Sequence, residues 1–219
     1  MRYAVAEPAM SFYEDRILPH ILNLAMNTKA VREERARCLS EVTGTVLEVG
    51  FGSGLNLPHY PPAVTKVVGV DPSGGSAKLA RKRIAASIVP VEIVGLSAEK
   101  LPLADNSFDS IVSTFTMCTI PDVAAALREM RRVLRPGGRL YFVEHGRSDD
   151  PAVLRWQDRL NSMQQTLCGG CNLNRRIGTL IEQAGFEMER LENRYLKGAP
   201  KFGGFLYRGV AKKAGGSPS

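Results

Sequence analysis

From Gly44 onward, two spacings of apolar residues take turns along the chain. Val46-Leu47-Glu48-Val49, Lys66–Val70, Pro90–Val94, Ser110–Phe115 and Arg139–Val143 are short runs rich in Val, Ile and Leu, bounded by Gly, Pro, Ser or Asp. Such runs read as buried strands. Between them lie helical stretches, one running to about Ala86 and one from Pro121 to Leu134. Pro121 is expected in the first turn of its helix, and Arg135-Pro136-Gly137-Gly138 as the turn that stops it. The alternation predicts an α/β, doubly wound sheet. Beyond it, helices are expected near Ala152–Leu167 and Arg175–Ala184, with Gly185 capping the second, then strands near Phe186–Leu196 and Phe205–Ala211. Before it, Phe12, Tyr13, Ile17, Leu18, Ile21, Leu22 and Leu24 recur at three- and four-residue spacing, a helix that Pro19 is expected to kink or split. A second helix, Lys29–Leu39, is dense in Arg and Glu. There is no internal repeat. A single domain over 1–213 is expected, with 1–43 as a helical cap or lid and 214–219 disordered.

Composition narrows this only a little. The 219 residues are 44% hydrophobic and 23% charged, ordinary for a globular chain. No apolar run approaches the roughly 18 residues of a membrane-spanning helix, and no basic stretch leads into an apolar core, so a cytoplasmic location is expected. The formal charge of +7 raises nucleic acid or an anionic membrane as partners. Its bases, as in Arg81-Lys82-Arg83 and Arg131-Arg132, are scattered over helices and read as solvated faces. Cys168-Gly-Gly-Cys171 has C-x-x-C spacing, but the sequence places no second pair or histidine cluster beside it, so no metal site is expected.

The chemistry concentrates where the first strand ends, in Thr45–Pro58 (TVLEVGFGSGLNLP). Glycines at 50, 52 and 54 permit a tight turn and a ligand laid against bare amides. A dinucleotide turn reads G-x-G-x-x-G; here the third glycine comes one residue early. Glu48, at the ligand edge of the sheet, would repel a pyrophosphate and suits a cation. Asp71 closes the second strand about 20 residues on, a placement suited to ribose hydroxyls and shared by more than one nucleoside ligand.

These segments, with LSAEKLPLADNSFD and LRPGGRLYFVEH, resemble class I S-adenosylmethionine-dependent methyltransferases from about Gly44 to Ala211. Within that class LNLPHYPP, VEHGRS, GGCNLNR and YRGVAKKA are most similar to the small methyltransferase-like family that includes alkyl-thiol S-methyltransferases. The resemblance implies a Rossmann-like seven-stranded sheet of order 3-2-1-4-5-7-6 with strand seven antiparallel. S-adenosyl-L-methionine is the cofactor it implies, with Glu48, Gly50, Gly52, Gly54, Asn56, Asp71, Pro72, Ser97, Ala98, Thr114 and Phe115 as contacts. Ser97 stands where the family usually has an acid that binds the adenine amine, so a hydroxyl and the Ala98 amide would serve there.

The acceptor is expected to be a small, fairly apolar molecule, a thiol first. The N/D-P-P-Y/F motif of base-amine methyltransferases is missing after strand four, so nucleic acid is not an expected partner. A few per cent of a thiol is already thiolate at neutral pH, so it needs no strong base; an amine or hydroxyl would need one, and His145 is the candidate general base, its other reading being a structural histidine. Phe12, Tyr13, Cys118, Cys171 and Asn172 are expected around the acceptor. The N-terminal helices would pack on the sheet edge, close as a lid, or touch a membrane surface weakly. Alternatives are a lipid or quinone-like acceptor, or a module that binds the cofactor without turnover.

Overall fold

The computed structural model describes residues 16–214. Phe12, Tyr13 and residues 215–219 of the expected disordered tail lie outside them. The expected sheet is present: β1 (Gly44–Val49), β2 (Val64–Val70), β3 (Val91–Val94), β4 (Phe108–Thr114), β5 (Leu134–His145), β6 (Phe186–Tyr195) and β7 (Phe205–Lys213) lie in the order 3-2-1-4-5-7-6. All neighbouring pairs from β3 to β5 are parallel. β7 runs antiparallel to both β5 and β6.

Strand periodicity sorts the core into two layers. Leu47, Val49, Val68, Val70, Ile111, Leu140 and Phe142 face α4 (Val123–Val133) and α6 (Ile177–Gln183), meeting Leu127, Met130, Ile177 and Ile181. Their neighbours Val46, Val67, Val112, Tyr141 and Val143 face the other way. There they meet Cys38 and Leu39 of α2 (Lys29–Leu39) and Ala80 of α3 (Gly74–Ala85). The remaining helices are α1 (Leu18–Ala25) and α5 (Pro151–Leu167).

Local chemistry shifts three expected boundaries. Pro19 lies in the first turn of α1, where its missing N–H costs nothing, and the part of the expected run before residue 16 lies outside the described residues. Pro121 precedes α4, because the Asp122 carboxylate accepts the Ala125 N–H at 2.8 Å and so makes Asp122 the cap. Arg135–Gly138 belongs to β5 as an irregularity: the register jumps from Phe108↔Leu134 to Ser110↔Arg139. A Cβ on Gly138 would stand 2.9 Å from the Asp109 carbonyl oxygen, so the bend favours glycine there.

The strand order reverses between β1 and β4. That crevice, at the carboxyl edge of the sheet, is where an open α/β fold binds ligands. α2 is anchored above it by Glu34, whose buried carboxylate accepts from Arg208 at 3.1 Å, from Arg37 at 3.3 Å and from Arg194.

Candidate active site

A cavity of about 620 Å³ opens at this crevice, within the roughly 300–1,000 Å³ usual for small-molecule sites. The turn after β1 forms its floor, with Gly50, Phe51, Gly52 and Ser53 in the lining. Gly50 has φ of +74°, and a Cβ there would overlap the Thr116 side chain at 2.0 Å. The turn can therefore pass beneath the loop after β4 only with glycine at this position.

Asp71 lines one side of the cavity. Its carboxylate accepts the Gly52 N–H at 2.7 Å and the Ser73 N–H at 2.8 Å, joining the first turn to the second. Burial raises its pKa and the two amides oppose the shift. Pro72, Ser97 and Ala98 continue the same wall, and Thr114 and Phe115 close it from β4. Phe115 has φ of +57°, left-handed for a side-chain-bearing residue, a conformation costing on the order of 1–3 kcal/mol. Its ring lies 5.1 Å from the Arg35 guanidinium.

Glu48 corrects the expectation that both acids face the ligand. Its side chain is buried and does not line the cavity: Tyr60 donates to it at 2.6 Å and Asn56 Nδ2 at 2.9 Å. Burial pushes its pKa up to about 7, against the pull of the Tyr60 hydroxyl and the Arg35 charge. Asn56 is likewise behind the wall, donating to Glu48 and to Thr114 (3.0 Å). Gly54 shapes the turn outside the lining. Besides Asp71, a charge of the opposite sign reaches the cavity. Arg35 of α2 donates through Nη1 to Asn56 Oδ1 (2.8 Å) and Thr114 Oγ1 (2.5 Å), while its buried Nε has no partner. The sequence reading passed over Arg35 inside a charge-rich helix. The signal was available, since Val31, Arg35, Cys38 and Leu39 recur at helical spacing and all are buried.

α1 supplies the remaining wall through Leu18, Leu22, Asn23 and Met26, and Ser53 Oγ donates to Asn23 Oδ1 at 2.8 Å. Thr119, Ile120, Pro121, Cys168 and Gly169 complete the lining. His145, Cys118, Cys171 and Asn172 come together, but none lines the cavity. Asn172 donates twice to the Cys118 carbonyl, through N–H and Nδ2, both at 2.9 Å. The His145 ring is buried against the Cys171 sulfur at 3.6 Å, which removes it from the position expected of a general base. Cys118, from the loop after β4, and His145, at the end of β5, lie beside Cys171, a juxtaposition that the C-x-x-C spacing does not reveal. Cys171 is the more acidic thiol, drawn below its ordinary value by its contact with Cys118 and by His145.

Comparison with known proteins agrees with this geometry. Residues 47–142 match the model of a methyltransferase domain. The chain is 36% identical over 152 residues to thiol S-methyltransferase TMT1B of Rattus norvegicus, covering 68% of this chain and 62% of that protein. It is 32% identical over 142 residues to a phosphatidylethanolamine N-methyltransferase of Cereibacter sphaeroides, covering 64% of this chain and 70% of that protein. The fold also matches a SAM-dependent methyltransferase from Aquifex aeolicus, with TM-score 0.63, 19% identity and coverage of 90% and 98%. The chain thus spans less than two thirds of the thiol methyltransferase it matches.

Proposed function

Because the chain belongs to the S-adenosylmethionine-dependent methyltransferases, we propose that it methylates a small, apolar thiol. When bound, S-adenosylmethionine supplies an electrophilic methyl group on a sulfonium. The cavity fits such a cofactor. Asp71 has lone pairs to offer ribose hydroxyls, Ser97 and Ala98 on the same wall would flank the adenine, and Gly50 and Gly52 leave the floor bare. The Arg35 guanidinium, which lines the cavity, is suited to the α-carboxylate of the methionine portion. Glu48 acts from behind, holding Asn56 and thereby Arg35 in place.

The observation that carries the thiol reading is the character of the wall. Among the described residues, the titratable side chains lining the cavity are Arg35, Asp71 and Cys168, and Leu18, Leu22, Met26, Ile120 and Pro121 make much of the rest apolar. A few per cent of an ordinary thiol is already ionised near pH 7. Such an acceptor needs alignment and exclusion of water more than a base, and alignment alone can supply roughly 7–11 kcal/mol. α1, lying over the cavity, would provide the exclusion. The relatives named as thiol methyltransferases support the same choice.

A second reading has its own observation. α1 turns Ile21 and Leu24 outward, 50% and 77% exposed, a face suited to a membrane surface and hence to a lipid acceptor. No described helix is long and apolar enough to cross a membrane. Incubation with methyl-labelled cofactor and a panel of alkyl thiols, phenols, amines and phosphatidylethanolamine vesicles separates the readings. Labelled thioether is expected; label in the vesicles alone would replace the thiol with a lipid.

A further inference from the structure

The cavity wall made by Thr119, Cys168 and Gly169 is backed by groups that methyl transfer does not use. We propose that Cys118, His145 and Cys171 form a binding site for one zinc-class divalent cation, which fastens three segments behind that wall. The two sulfurs are 3.4 Å apart, Cys171 Sγ is 3.6 Å from His145 Nε2, and a ligand atom from each residue lies within 4.8 Å of the others. A tetrahedral zinc ion bonded to sulfur at about 2.3 Å and to nitrogen at about 2.0 Å holds such ligands about 3.5–3.8 Å apart. Closing the site therefore requires a shift of a few tenths of an ångström between the sulfurs and a turn of the His145 ring, because a sulfur 3.6 and 3.9 Å from the two ring nitrogens lies off both lone-pair axes.

The donor set points to the same ion class. Two thiols and an imidazole, with no carboxylate among them, select zinc-like cations over magnesium or calcium, and two thiolates balance a 2+ charge. All three residues are buried. Both ring nitrogens of His145 have the Cys171 sulfur as neighbour, at 3.6 and 3.9 Å, a weak partner for a buried imidazole. The frame is fixed in advance. Asn172 grips the Cys118 carbonyl, and Arg175 donates to the carbonyls of Ile120 at 2.7 Å and of Met117. Three protein ligands leave one tetrahedral position free. This site does not depend on which acceptor is methylated.

The test is a titration of the full-length, reduced protein with Co²⁺. One equivalent per chain should develop thiolate-to-cobalt charge transfer in the near ultraviolet and the visible bands of a tetrahedral ion, both bleached by Zn²⁺. Cys171→Ser and His145→Gln should each lose the tetrahedral bands, with circular dichroism confirming that the variants fold. Cys168→Ser, altering a thiol outside the set, should keep them. Reduced wild-type protein without these bands overturns the proposal whatever the variants do. Bands that survive Cys171→Ser, or that vanish in Cys168→Ser but persist in His145→Gln, overturn the ligand assignment. Bound Zn²⁺ should also raise the melting temperature, reversibly on chelation.

Discussion

Arg35 brings a permanent charge to a buried place, supported by Asn56, Thr114 and the Phe115 ring. If it holds the cofactor's carboxylate, Arg35→Ala should weaken cofactor binding by about 1.5–3 kcal/mol, the value of a hydrogen bond to a charged group. Arg35→Lys should recover only part, since a lysine offers one point charge where arginine offers a fork. Calorimetry with S-adenosylhomocysteine measures both, and wild-type affinity in the alanine variant would remove Arg35 from the site. Glu48 and Glu144 make a different prediction. Burial lifts each to about 7 from an ordinary 4.5. Between those values the folded chain holds protons that the unfolded chain has released. Their contribution is therefore complete below about pH 4.5 and is lost as pH rises through 7. Urea unfolding should show stability falling between pH 5 and 8 by on the order of 1–3 kcal/mol per group. Glu48→Gln should flatten that slope, and an unchanged slope would show that Glu48 is ionised throughout. The importance of Asp71 was legible from its distance to the glycine turn. The orientation of Glu48 was not, because Tyr60 and Asn56, which turn it inward, belong to the following loop.

At the level of elements, α2 matters through what it carries and how it is tied. Glu34 binds it to β6 and β7 through Arg194 and Arg208, and Arg35 is the next residue. Glu34→Gln should thus raise the KM for cofactor with little change in kcat, although Glu34 is absent from the cavity lining; a fall in kcat alone would contradict this. α1 should respond to occupancy. Its amides should exchange more slowly with cofactor product bound, and Asn23→Ala, which removes the acceptor of the Ser53 bond, should diminish the difference. Most elements were readable because several strand runs stop at a glycine or an acid, as at Gly50, Asp71, Gly95 and Glu144, and helices such as α4 repeat their apolar positions. Prolines were harder to interpret. Pro19 and Pro121 both stand near helix starts, and position relative to the cap, not the residue type, decides whether proline breaks, opens or precedes a helix.

For the whole molecule, the sheet order followed from the family resemblance, since alternation alone shows a doubly wound sheet without ranking its strands. What the sequence concealed was convergence. Cys118, His145 and Cys171 are brought together across separations of 53 and 26 residues, and only the stacking of β4 beside β5 makes them neighbours. Packing across the sheet is equally non-local. A Cβ on Gly209 would stand 2.6 Å from the Phe142 ring and 2.4 Å from the Arg190 carbonyl. Gly209→Ala should therefore destabilise the fold by about 1–3 kcal/mol, read as a lowered urea midpoint at constant slope.

β7 lies between two strands that precede it in the chain, and among the described residues β6 pairs with β7 alone. During synthesis, the growing polypeptide therefore carries an open β5 border and an unattached β6 until the last strand emerges from the ribosome. Exposed borders of this kind invite pairing between molecules. A chain stopped after Tyr195 would keep that border permanently, and should accumulate as aggregate where the longer chain stays in solution.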